Sequence, residues 1–173
     1  MASGTSITGA LTPRWAQEGT RADLVARLRD PQTRAKMKRA VEENLVKRGG
    51  PERLRLTIYL PDPSMNGLSL AEAAAKMNMD AAEAALTLLE GSNAPFVSFV
   101  MDEDDVKTIM RAPWVMTGSD GWALADSGPL GQGSRMSFGT FVRVLAKYDL
   151  RDGVLRLEDA VRKMTSLRPI GLA

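Results

Sequence analysis

Between Leu54 and Leu60 the chain alternates, with Leu54, Leu56, Ile58 and Leu60 set against Arg53, Arg55, Thr57 and Tyr59. A period of two gathers one set on a single side, so the pattern predicts a β-strand with one buried face. Pro61-Asp62-Pro63 stops it. Elsewhere the period is helical. Leu24, Val25 and Leu28 follow Thr20 and Asp23, a capping pair three positions apart. Asp30-Pro31 restarts the pattern with a cap and a first-turn proline, and the stripe Met37, Val41, Leu45 ends at Gly49-Gly50. Ser69 with Glu72 opens an alanine-rich helix over 70–78. Asp80 with Glu83 repeats the device for a helix ending near Glu90, with Gly91 as its C′ residue.

Further along, residues 96–100 form a continuous apolar run of strand length. Asp102, Glu103, Asp104 and Asp105 then place four acids in the first turn of a helix, where the helix dipole favours them. Their spacing lacks the loop glycine of a calcium site, so they read as a cap. Residues 114–117 read as a short buried strand, and 121–137 as a Gly/Ser/Pro-rich loop holding Trp122. Two helices close the chain, one carrying Phe138, Phe141, Val142 and Leu145, the other Leu157, Val161 and Met164.

Strands separated by helices predict parallel pairing through right-handed crossovers. The expected fold class is therefore α/β and helix-rich: a partial TIM-like (β/α) barrel arc of about three parallel strands with a helical insertion over about 20–50. Residues 1–11, rich in Gly, Ser and Thr, are expected to be a disordered leader or a scar of cloning. Residues 12–173 form one α/β domain, with barrel-derived βα units over about 51–167. Three strands leave such an arc open, and its bare edges favour a homodimer or a missing barrel half as partner.

The 173 residues are one domain's worth of chain, and the formal charge is only +2. Residues 21–48 hold nine Lys/Arg against four acids. No aromatic residues interleave with them, so they read as the solvated side of an amphipathic helix pair, and no nucleic-acid partner is expected. No apolar run approaches the ~20 residues that a membrane helix needs, and a cytoplasmic chain without membrane contact is expected. Cysteine and histidine are both absent. That excludes disulfides, thiolate sites, imidazole ligands and histidine relays from these residues.

What chemistry remains gathers in Val115-Met116-Thr117-Gly118-Ser119-Asp120-Gly121, an apolar segment delivering a carboxylate into a glycine turn. Asp120 is the candidate catalytic acid or base; the competing reading is an Asx-turn carboxylate that satisfies nearby backbone N–H groups. Ser119 has no relay spaced to activate it as a nucleophile. Arg143 could meet a substrate carboxylate as a bidentate pair, or simply be a surface helical arginine.

Several ordered pieces resemble the C-terminal part of the N-acyl-D-amino-acid deacylases (D-aminoacylases), within the metal-dependent amidohydrolases. They are Gly67-Leu68-Ser69-Leu70-Ala71-Glu72-Ala73-Ala74, Val106 to Met110, Met116 to Gly121, Phe138 to Leu145, and Leu157 to Ser166. The resemblance implies a (β/α)8 barrel that hydrolyses the amide of an N-acyl-D-amino acid. Zinc in a complete member lowers the pKa of bound water, and an aspartate at the last barrel strand carries the proton from that water to the leaving nitrogen. Asp120 matches that position as catalytic and metal-site carboxylate, with Ser119 and Arg143 as candidates for substrate contacts. The departures are equally definite. The family's metal histidines lie on earlier strands that these residues do not include. Ser134 and Arg135 stand where relatives carry histidine and proline, and Phe138 and Val142 replace a tyrosine and a proline. A partial or degenerate member is implied, expected to bind no zinc and to be inactive alone. A non-catalytic, self-associating module on the same scaffold is the alternative.

Overall fold

A computed structural model describes residues 3–119, 121 and 135–167, which fall in two compact units, 1–101 and 102–173.

The first unit opens on strand β1 (Ser3–Ser6) and helix α1 (Ile7–Leu11). Residues 3–11, read from the sequence as part of a leader, take up these two elements. The cause is Ile7 and Leu11, which are fully buried, together with the Ile7 N–H, which donates to the Ala94 carbonyl at 3.1 Å. Helices α2 (Arg21–Arg29) and α3 (Pro31–Lys47) follow where the caps predict them. Thr20 and Asp23 form a reciprocal capping box, and Asp30 Oδ2 accepts from the Thr33 N–H at 2.8 Å. The stripe Met37, Val41, Leu45 is buried.

Strand β2 is shorter than its alternation implies, covering only Leu54–Leu56. Beyond it the Gly67–Leu68 segment takes over both backbone groups of Leu56: the Leu56 N–H donates to the Leu68 carbonyl and the Gly67 N–H to the Leu56 carbonyl, each at 2.9 Å. The parity of burial then breaks. Tyr59 turns inward and donates from Oη to the Leu88 carbonyl at 3.2 Å, while Leu60 is 80% exposed. Helices α4 (Leu70–Lys76) and α5 (Ala81–Gly91) lead to strand β3 (Pro95–Ser98). Ser69 and Glu72 close the predicted box at 2.7 and 3.2 Å. Asp80 caps α5 alone, because the Glu83 carboxylate turns to Arg34 Nε at 2.8 Å instead.

The sheet order is β1-β3-β2, and both pairings are antiparallel. Leu54 faces Ser98 and Leu56 faces Phe96 across β2 and β3. The expected parallel pairing is corrected by this register. A single crossover helix returns the chain to its starting direction; the pair α4–α5 adds one more reversal, so β3 runs against β2. Phe96, Leu54 and Leu56 seat the sheet on a core shared with Leu28, Met37, Leu70, Leu86 and Leu89.

In the second unit, α6 (Glu103–Arg111) starts at Asp102, whose Oδ1 accepts from the Asp104 N–H at 2.7 Å. Helix α7 (Arg135–Arg143) runs into a π-helix (Val144–Arg151), and α8 (Leu157–Met164) follows. Val144, Tyr148, Val154, Leu155 and Ala160 make the small core. The strand expected over 114–117 is not formed: the described residues there carry no ladder, and Trp114 is 78% exposed.

Candidate functional site

The segment entering the carboxylate turn lacks a sheet to hold it, and α8 does that work instead. Lys163, 3% exposed, donates from Nζ to the carbonyls of Ala112 and Val115, the latter at 3.0 Å. The Thr117 N–H donates to the Lys163 carbonyl at 3.0 Å, and Arg162 Nη2 reaches the Pro113 carbonyl at 3.4 Å. A four-carbon stem makes this possible, since it carries an ammonium through apolar surroundings to distant carbonyls. Desolvation, and then the Arg162 charge, hold the Lys163 ammonium below the ordinary lysine range. Periodicity gave no hint of Lys163. On α8 the apolar stripe would put Leu157 and Val161 inward, whereas Ala160 and Lys163 are buried and Leu157 and Val161 are 52% and 43% exposed.

Ser119 is half-buried, and its Oγ accepts from the Gly121 N–H at 3.2 Å. Asp120 itself lies outside the described residues, as does Trp122. The Ser119 oxygen is thus engaged with the Gly121 N–H. Arg143 sits elsewhere in the unit, at the end of α7. It is exposed, with Cζ 5.9 Å from the centre of the Tyr148 ring. That ring belongs to an ionic cluster in which Lys147 lies 2.8 Å from Glu103 Oε1 and also pairs with Asp152. Lys147, followed by Arg151, lowers the Asp152 carboxyl to about 2, and Asp152 in turn raises Lys147.

The donor set does not fit zinc. The sequence has no histidine or cysteine, and among the described residues no three carboxylates converge on one point. Structural and catalytic zinc sites take three or four such ligands, so a single aspartate is insufficient. No helix among the described residues is long and apolar enough to cross a membrane.

No family model matches the chain. An N-acyl-D-glutamate deacylase of Alcaligenes xylosoxydans xylosoxydans is 40% identical over 122 residues, 69% of this chain and 23% of that protein. A D-aminoacylase of the same organism is 36% identical over 112 residues, covering 65% and 22% respectively. Among solved structures, the N-acyl-D-glutamate deacylase from Bordetella bronchiseptica, complexed with zinc and a phosphonate mimic of the tetrahedral intermediate, superposes with a TM-score of 0.58. It is 30% identical and covers 80% of this chain and 31% of its own. A D-aminoacylase described by its binuclear metal centre gives a TM-score of 0.55 at 34% identity, over 66% of this chain and 23% of its own. The chain is thus homologous to part of the amidohydrolases. Within them it carries a fragment of the D-aminoacylase and N-acyl-D-glutamate deacylase family, and it spans less than a quarter of the length of these curated relatives.

Proposed function

We propose that this chain carries the acid–base corner of an N-acyl-D-amino-acid deacylase, with Asp120 as the working carboxylate, and that it is inactive by itself. The observation that supports this most directly is the 40% identity to an N-acyl-D-glutamate deacylase in a chain without histidine or cysteine. Residues 51–167 then descend from the barrel units of that family.

In this reading Asp120 takes a proton from the water that attacks the amide carbon. As the C–N bond breaks, the same carboxyl returns the proton to the leaving nitrogen, giving a carboxylate and a free D-amino acid. Ser119 fixes the turn through the Gly121 N–H, and exposed Arg143 is the candidate for the substrate's carboxylate. Zinc ligands come from outside these residues, and the cytoplasm is the expected compartment. The test is hydrolysis of N-acetyl-D-glutamate with added zinc. Purified chain alone gives no turnover, and clear turnover sinks the proposal.

A second reading, a self-associating module, draws on exposed apolar side chains in the second unit. Leu150 is 81% and Trp114 78% exposed, and Leu157 and Val161 on α8 are exposed as well. Solution mass decides it: a stable dimer supports this reading, and a monomer across micromolar concentrations removes it.

A further inference from the structure

Within the second unit a cleft of about 240 Å³ is walled by cations. Arg111 from the end of α6, and Arg156, Arg162 and Lys163 from the start and body of α8, all line it. Asp159 is the lining carboxylate among the described residues, and it is already shared, 3.3 Å from Arg156 Nε and 3.9 Å from Arg162 Nε. Arg111 has no ion pair among the described residues. Lys163 is 3% exposed and its acceptors are neutral carbonyls.

A buried ammonium is costly to desolvate, and carbonyl dipoles offset only part of that cost. Three guanidinium groups in the same wall add to the unbalanced charge. Burial, and then the Arg162 charge, hold the Lys163 ammonium down, and the opposing Asp159 carboxylate only partly offsets them, in keeping with a surplus of positive charge in the wall. Arg156 is the N-cap of α8 and makes no side-chain cap hydrogen bond, so among the described residues the N-cap side chain does not satisfy the first-turn N–H groups.

We propose that this cleft is a binding site for a small multivalent oxyanion of the phosphate class. Guanidinium forks match the oxygen spacing of a tetrahedral oxyanion, and the charge in the wall exceeds what a monocarboxylate neutralises. The site is separate from the deacylase reading and stands or falls independently of it.

Calorimetric titration of the full 173-residue chain with inorganic phosphate, at constant ionic strength, tests the site. One saturable event is expected, weakened about tenfold or more in each of Arg111→Ala and Arg156→Ala, the effect of losing one charge-assisted hydrogen bond. Both side chains are exposed, so circular dichroism of these variants stays that of the parent. Three results overturn the assignment: no saturable heat up to about 10 mM phosphate, an equal response to chloride at matched ionic strength, or undiminished affinity in the two variants. Tighter binding of acetate than of phosphate overturns the assignment to a multivalent, phosphate-class anion.

Discussion

Lys163 and Val115 are tied across 48 positions of chain by the ammonium-to-carbonyl hydrogen bond of 3.0 Å. The Thr117 N–H returns to the Lys163 carbonyl, so one residue of α8 fixes three points along the segment that enters the carboxylate turn. Lys163→Met keeps the apolar stem and removes the donor. It leaves the Val115 carbonyl without a donor, while the Ala112 carbonyl keeps the Val115 N–H at 3.2 Å, at a cost of about 1–2 kcal/mol. Urea unfolding followed by circular dichroism measures this, and an unchanged midpoint contradicts the anchoring role.

Gly91 makes a different kind of demand. It ends α5 with Ser92 as C-cap in an extended conformation, and its own φ is not positive. A Cβ here would meet the Tyr59 hydroxyl, the group that donates to the Leu88 carbonyl. Gly91→Ala is therefore expected to destabilise the first unit by about 1–3 kcal/mol through overpacking. Gly91→Ala combined with Tyr59→Phe should recover part of the loss, and a double-mutant cycle with no coupling between the two rejects this cause.

The Lys147–Asp152 pair predicts how stability changes in acid. Asp152 titrates near 2 in the fold against an ordinary 3.8, so its contribution is complete above about 3.8 and is lost as pH falls through about 2. Lys147 is shifted upward, so its contribution is present at neutral pH and lost only as pH rises through its folded value. Thermal unfolding of Asp152→Asn should fall less steeply between pH 4 and 2 than that of the parent. Parallel curves would remove the pair from the account.

Zinc supplies a fourth check, bearing on the donor set. Calorimetry of zinc into the parent chain should show no saturating event at protein concentration, and Asp120→Ala should give the same trace. A stoichiometric zinc site lost in that variant would contradict the ligand count.

Helix starts were legible because their determinants are local. Thr20, Asp30, Ser69, Asp80 and Asp102 each accept from a backbone N–H within three residues, and sequence spacing contains all of that information. Strand direction was not legible, because the sense of β3 depends on how many reversals lie between it and β2. The alternation of 54–60 also overran, since the strand ends at Leu56 and Tyr59, not Leu60, turns inward to reach the distant Leu88 carbonyl. At the candidate site the turn residues are proposed from their pattern in the sequence. The buried Lys163 could not, because a lysine on an amphipathic helix reads as solvated until its carbonyl partners are known.

The two outer strands of the sheet have a bearing on assembly. β1 reads Ser-Gly-Thr-Ser, and β2 is three residues long with Arg55 pointing outward. Flanks so brief and polar give an incoming strand little to zip onto. Crowding or concentration should therefore not convert this molecule into cross-strand fibrils from its native state, and copies that do meet would have to recognise one another by their helical faces.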